Sequence, residues 1–123
     1  MDKALEQALL FDFYGELLTE HQREVFQMHY LDDFSLGEIS EEKAITRQAI
    51  FDLLKRSEGT LHKYEAKLGL VRRFVDMRAQ IEQLGQLTTS LEVALSQIEA
   101  LPETHKKTAH QIKTIVESLN GKI

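Results

Sequence analysis

Cysteine is absent from the 123-residue chain, and proline and glycine are scarce, with one and six residues. Without cysteine the chain forms neither a disulfide framework nor a thiolate zinc site, and an intracellular setting is the simplest interpretation. So little proline and glycine argues against a sheet-rich fold with many turns, so we expect an all-α protein. With 42% hydrophobic residues, the chain can bury one compact core and carry an appendage.

Long apolar runs and catalytic motifs are also missing. The apolar patch near the start, Leu9–Phe11, is broken by Asp12, so we expect neither a signal peptide nor a membrane-spanning segment. There is no glycine-rich phosphate loop, nucleophile elbow or convergent carboxylate pair. No histidine is spaced from another histidine or a carboxylate as a metal site requires. We therefore expect a soluble, cytoplasmic protein that is not an enzyme, has no cofactor or metal and does not insert into membranes.

Positive charge is in short supply. Lysine and arginine total 15 against 20 acidic residues, which gives a net charge of −5. This is the wrong sign for DNA binding through bulk electrostatics. Residues 18–69 are negative too, with seven basic and ten acidic residues. Only the segment Thr46–Arg56 is locally positive, since Arg47, Lys55 and Arg56 stand against Asp52 alone. Any contact with nucleic acid should lie on that segment.

The segment Thr46–Arg56 has the pattern of an amphipathic helix. Its apolar residues recur at helical spacing on one side, and they are Ala49, Ile50, Leu53 and Leu54. Upstream, Ser35 and Glu38 have the spacing of a reciprocal N-terminal cap on a short helix. A short helix, a turn of three or four residues and a second helix with a polar N-terminal end predict a helix-turn-helix.

Two further helices are predicted before this motif. Residues 4–18 carry one wide apolar stripe, formed by Leu5, Leu9, Phe13 and Leu17 at four-residue steps with Leu10 and Tyr14 beside them. Thr19 and Gln22 form a second capping signature, which begins a helix that runs to about Tyr30. One glycine costs only about 1 kcal/mol in a helix interior, so the helix that starts at Thr46 can continue past Gly59 and end or kink at Gly69.

After Gly69 the wide apolar stripe changes to a narrow heptad seam. Its positions alternate in steps of four and three, and they are Leu70, Phe74, Met77, Ile81, Leu84, Thr88, Leu91, Leu95 and Ile98. We expect one long helix, or two with a break near Gly85 or residues 88–90, ended by Pro102. A last helix repeats the spacing. These helices can form an antiparallel hairpin or join a partner chain, and the length of the seam favours a homodimer. The predicted domains are 1–69, a helix-turn-helix domain, and 70–123, a helical extension for packing or dimerisation.

The motifs resemble a known family. Two segments of the chain resemble region 4 of bacterial sigma factors. They are residues 18–40, L-T-E-H-Q-R-E-V-F-Q-M-H-Y-L-D-D-F-S-L-G-E-I-S, and residues 45–56, I-T-R-Q-A-I-F-D-L-L-K-R. Over its whole length the chain resembles the YlxM family (UPF0122), whose members are typically encoded beside the signal recognition particle GTPase. The resemblance implies a sigma-region-4-like helix-turn-helix bundle followed by long C-terminal helices. It also implies a regulatory role in the signal recognition particle pathway.

The same resemblance assigns candidate nucleic-acid-binding residues. Thr46 matches the small polar residue that opens the recognition helix, and Arg47 and Gln48 match side chains that enter the major groove. Lys55 and Arg56 match positions that contact phosphates. Phe51 and Asp52 stand where sigma-like sequences often have serine and arginine; a phenylalanine reads little beyond a thymine methyl group, and an aspartate repels phosphates. The turn has Ala44 in place of the usual glycine.

Two hypotheses for function follow. In the first, a dimeric helix-turn-helix protein binds DNA or RNA, with bases read by Arg47 and Gln48 and phosphates held by Lys55 and Arg56. In the second, the chain is an interaction module for the signal recognition particle GTPase and does not bind DNA directly. Phe51 or the C-terminal helices would then be the anchor.

Overall fold

The computed structural model describes residues 2–122, which are almost entirely helical and contain no strand. Six α-helices follow one another along the chain: α1 (Lys3–Tyr14), α2 (Glu20–Phe26), α3 (Leu36–Lys43), α4 (Arg47–Leu68), α5 (Leu70–Ser96) and α6 (Glu103–Lys122). A 3-10 turn, Gly15–Leu17, follows α1, and a π-helical turn, Gln27–Leu31, continues α2. The predicted all-α class is therefore confirmed. The described chain divides into two compact units, one ending at Val71 and the other beginning at Arg72.

Side-chain caps fix the starts of the helices in the first unit. The Thr19 hydroxyl accepts a hydrogen bond from the backbone N–H of Gln22, and the Gln22 side chain accepts one from the Thr19 N–H. Ser35 and Glu38 make the same reciprocal pair at α3. Each cap satisfies backbone donors that the helix itself leaves without a partner, which stabilises the helix by about 1 kcal/mol. Both predicted capping boxes are present.

The first unit buries its own core around α4. Helices α1, α2 and α3 all pack against α4. Phe26 is fully buried, with its ring centroid 5.3 Å from that of Phe11 and 4.7 Å from that of Tyr30. The buried apolar residues of this unit are Leu10, Tyr14, Leu18, Val25, Phe26, Ile39, Ile50, Leu54, Leu61 and Val71. Burial of each such side chain contributes roughly 1.5–3 kcal/mol, so α4 is held firmly in place.

The buried face of α1 agrees with the prediction in part, at Leu10 and Tyr14. Leu5 and Leu17 are 52% and 54% exposed, whereas Gln7, Leu10 and Tyr14 are buried. The reason is a contact across the unit. The Tyr14 hydroxyl donates to Glu65 Oε1 at 2.7 Å and accepts from the Leu70 N–H at 3.1 Å, which turns Tyr14 toward the core. The α-helix also ends at Tyr14, so Leu17 is no longer in register with the predicted stripe.

The second unit is built from α5 and α6. Helix α5 runs without a break through Gly85 and residues 88–90, and it ends at Ser96, before Pro102, so Pro102 is not the residue that stops it. Pro102 instead lies at the start of α6, where its carbonyl accepts the His105 N–H at 3.0 Å. The two helices are antiparallel, since Gly85 faces Val116 and Lys113 Nζ lies 3.3 Å from Glu92 Oε2.

Candidate nucleic-acid interface

Helices α3 and α4 are joined by a three-residue turn, residues 44–46. Ala44 adopts the left-handed conformation, with φ 57° and ψ 38°, and its N–H bonds to the Ser40 carbonyl. Glycine is the usual residue there, because a side chain in this conformation costs roughly 1–2 kcal/mol. Helix α4 then continues for 22 residues, past Gly59, to a left-handed Gly69. The predicted extension of this helix past Gly59 is confirmed.

The first three candidate residues stand at the start of α4 and face different ways. The Thr46 hydroxyl caps the helix by accepting the Ala49 N–H at 3.1 Å. Arg47 is exposed, and its guanidinium lies against α3, where a Cβ on Gly37 would be 3.0 Å from Nη2. Gln48 Nε2 donates to Asp52 Oδ1 at 3.0 Å. Arg47 is thus held beside α3, whereas Gln48 lies on the outer side of α4.

The remaining candidates are also exposed, but Lys55 has partners. Phe51 is 43% exposed, and Lys55 Nζ lies 5.5 Å from the centre of its ring, a cation–π contact. The same Nζ lies 3.7 Å from Glu58 Oε2. The Arg56 side chain makes no ion pair with any described residue. At about 100° per residue, Gln48, Phe51 and Lys55 share one side of α4 and Arg56 flanks it.

The acidic residues in the second half of α4 point inward. Glu58 accepts a hydrogen bond from the Tyr30 hydroxyl. Glu65 accepts one from Tyr14 and one from the Val71 N–H at 2.9 Å. Burial, aided by the hydrogen bond to a carboxylate, raises the pKa of both tyrosines above its ordinary value. These carboxylates are therefore occupied by internal hydrogen bonds on the flank of α4 that faces the core.

Two basic residues that sequence analysis left out lie on the outer flank of α4. Lys63 and Lys67 are exposed and follow Arg56 by seven and eleven residues. At about 100° per residue, the three side chains fall within about 40° of one another. The signal was present in the sequence as this spacing. It was missed because charge was summed along the chain and was not sorted by helix face.

Neither a metal site nor a membrane span is found in the part of the chain that is described. Residues 2–122 bring together no group of three histidine, aspartate or glutamate side chains that would hold a metal ion. None of the helices described is both long and apolar enough to cross a bilayer.

A short capped helix, a tight turn and a long exposed second helix define a helix-turn-helix protein. The sequence profile of the UPF0122 family, described as "Putative helix-turn-helix protein, YlxM / p13 like", matches residues 1–115, and the chain belongs to this family. The resemblance to YlxM proteins is thereby confirmed. The family description names a helix-turn-helix and no enzymatic activity.

Curated relatives cover most of the chain. It is 54% identical over 85 residues to a UPF0122 protein of Caldanaerobacter subterraneus, which covers 69% of this chain and 73% of the relative. It is 45% identical over 114 residues to one of Listeria monocytogenes, with 93% and 97% covered. It is 44% identical over 119 residues to one of Thermoanaerobacter, with 97% of each covered.

Proposed function

We propose that this protein binds nucleic acid through α4 of its helix-turn-helix. The proposal is supported by the way in which basic and acidic side chains are distributed around α4. Five basic and three acidic residues lie between Arg47 and Leu68, and two of the three acids are hydrogen-bonded to tyrosines on the inner flank. The outer side of α4 is therefore cationic in a protein whose net charge is −5. Such a local surface attracts phosphates even where the whole molecule does not.

Each candidate residue has a role in this proposal. Arg47 and Gln48 read base edges. To do so, the Arg47 guanidinium moves away from Gly37. The Gln48 side chain exchanges its hydrogen bond to Asp52 for one to a base. Phe51 contacts a thymine methyl group, and Lys55 and Arg56 hold phosphates. Thr46 acts indirectly, because its cap fixes the direction in which α4 begins.

We further propose that residues 70–123 join two copies of the chain. Met77, Leu84, Leu91 and Ile98 recur every seven residues along the seam, and each is 46–53% exposed. On α6, Ile112, Ile115 and Leu119 are 42–60% exposed. At about 100° per residue, Leu84 and Leu91 lie to one side of the face by which α5 packs against α6. Ile112, Ile115 and Leu119 are rotated in the same direction from the face by which α6 packs against α5. Because the two helices are antiparallel, all five side chains lie on the same side of the hairpin. An apolar face of this kind, on two helices at once, suits a homodimer.

The cellular setting follows from the resemblance to YlxM proteins. It favours a regulatory role in the signal recognition particle pathway, carried out in the cytoplasm. The second candidate function is a protein-interaction module that binds the signal recognition particle GTPase without binding DNA. The exposed Phe51 beside Asp52 favours this alternative, because an aromatic ring is a frequent anchor in protein interfaces and an aspartate repels phosphates.

A binding titration separates the two candidates. The full-length protein is titrated with duplex DNA, duplex RNA and the purified GTPase, each at low and at moderate salt. The proposal expects nucleic-acid affinity that falls steeply as salt rises and that is weakened when Arg47→Ala is introduced. The variant Lys107→Ala, exposed on α6, is the matched control and should bind like the wild type. Retention of the GTPase, with no nucleic-acid binding at low salt, would favour the alternative.

A further inference from the structure

We propose that α4 carries a second contact surface for the phosphodiester backbone, formed by Arg56, Lys63 and Lys67 and here called the outer ridge. This inference rests on the proposed function and adds to it Lys63 and Lys67, which the helix-turn-helix motif does not include and which extend the phosphate contact of Arg56 along α4. All three side chains are exposed on the outer flank of α4. None of the three forms an ion pair within residues 2–122, in contrast to Lys55, which lies beside Glu58.

The length of α4 places the outer ridge beside phosphates. Its 22 residues span about 33 Å at 1.5 Å per residue. A major groove is only about 12 Å wide. If the first turns of α4 enter the groove, the second half of the helix projects beyond it and passes the sugar–phosphate strand at its edge. The contacts made there are therefore to phosphates and not to bases.

The spacing within the outer ridge matches a row of anions. Arg56 and Lys63 are about 10 Å apart along the helix axis, and Lys63 and Lys67 about 6 Å, at 1.5 Å per residue. Duplex DNA carries roughly one charge per 1.7 Å of its axis, so a ridge of this length faces several phosphates. Between these cations, Gly59 has open space where a Cβ would stand, so no bulky side chain separates a strand from the helix at that point.

The charge of the outer ridge is offset on its own helix only by Asp52. Glu58 and Glu65 face the opposite flank of α4, where they bind Tyr30 and Tyr14. Asp52 lies one turn before Arg56 and accepts a hydrogen bond from Gln48. Contacts to phosphates carry no base information, so the outer ridge should raise affinity for every sequence alike and leave selectivity to Arg47 and Gln48.

The salt dependence of binding tests this proposal. Binding affinities are measured over a series of salt concentrations with duplex DNA, duplex RNA and single-stranded RNA. The three proteins compared are the wild type, the α4 variant Lys63→Gln/Lys67→Gln and the α6 variant Lys106→Gln/Lys107→Gln. The α6 pair is the control because it removes the same charge from exposed positions. The slope of log affinity against log salt should become shallower by about 1 per lysine in the α4 variant only. The nucleic acid that shows this change identifies the phosphate source.

The outcomes separate this proposal from the proposed function. If no nucleic acid binds the wild type at low salt, the proposed function and the outer ridge both fall. If the wild type binds and Arg47→Ala weakens it, but the α4 variant keeps the wild-type slope, only the outer ridge is overturned. An equal change of slope in both lysine variants would also overturn it, since the effect would then be one of total charge. Circular dichroism and thermal unfolding should be the same for all three proteins.

Discussion

The two compact units of this chain differ in how they bury their apolar residues. Among residues 2–122, the first unit has ten buried hydrophobic side chains and eight large exposed ones. The second has only Ala109 and Val116 buried, and nine large exposed ones. The first unit therefore supplies its own core, whereas the α5–α6 hairpin presents most of its apolar surface outward. Such a surface is usually covered by a partner, which is the physical basis of the proposed homodimer.

The strongest test of this difference between the two units is to introduce charged residues on the exposed apolar face of the hairpin. The variant Leu84→Lys/Leu91→Lys should convert a dimer to a monomer, because burial of each leucine contributes roughly 1.5–3 kcal/mol and each occurs twice in a dimer. Sedimentation or light scattering at micromolar concentration measures the mass. The control is Val93→Lys, which alters a residue of α5 that is 55% exposed on the opposite flank. A wild-type protein that is monomeric under these conditions would contradict the proposal.

The next effect should be confined to the first unit. Phe26→Ala removes a fully buried ring that stacks on Phe11, and it should lower the free energy of unfolding by about 3–5 kcal/mol. This loss should not depend on protein concentration. Leu91→Ala, at a residue 53% exposed in the single chain, should destabilise the hairpin in a concentration-dependent way. Denaturation followed at two protein concentrations measures both. A concentration-independent loss for Leu91→Ala would remove the distinction between the units.

Alkaline pH should weaken the first unit. Tyr14 and Tyr30 have raised pKa values when folded, so their contribution to stability is fully present below pH 10, the ordinary tyrosine value, and is lost as pH rises through the higher folded values. The free energy of unfolding should therefore fall as pH rises from 10 to about 12. Urea denaturation at these pH values measures it. Tyr30→Phe removes one of the two titrating hydroxyls and should reduce the dependence on pH; an unchanged dependence would show that the ionisation of Tyr30 does not contribute to it.

The smallest expected effects concern two left-handed residues. Ala44→Gly relieves the strained turn and should stabilise the first unit by up to about 1 kcal/mol. Gly69→Ala places a side chain at φ 63° with open space around it, so it should destabilise by about 1 kcal/mol through backbone strain alone. Thermal unfolding of the two variants measures both changes in stability. Shifts of the same sign would contradict the assignment of the strain to backbone conformation.

Local features of the fold were predictable from sequence. The caps at Thr19 and Ser35 act over three residues, so the residue types alone indicate where α2 and α3 begin. The extension of α4 to Gly69 was predictable for the same reason, since helix propensity and a C-terminal glycine are both local signals. The buried side of α1 was predictable only in part. Leu10 and Tyr14 lay in the predicted stripe, but the exposure of Leu5 and Leu17 was not predictable, because it depends on the contact between Tyr14 and Glu65, which are 51 residues apart.

The candidate interface was predictable in part. The sequence placed Arg47, Gln48 and Lys55 on one polar helix, but the partners that orient them are not visible in a pattern. Arg47 lies against Gly37 of another helix, and Lys55 lies between Phe51 and Glu58. The positive charge of Thr46–Arg56 was visible in the sequence, but the continuation of the cationic side to Lys63 and Lys67 was not recognised, because it appears only when α4 is sorted by face and Glu58 and Glu65 are known to turn inward.

The most direct test of the role of α4 is an NMR titration of the isotope-labelled full-length protein with a DNA or RNA duplex. Binding through α4 predicts that the largest amide shift changes fall between Arg47 and Lys67 and are largest at exposed positions such as Gln48 and Lys63. Amide changes confined to α5 and α6, or no changes at low salt, would contradict this account.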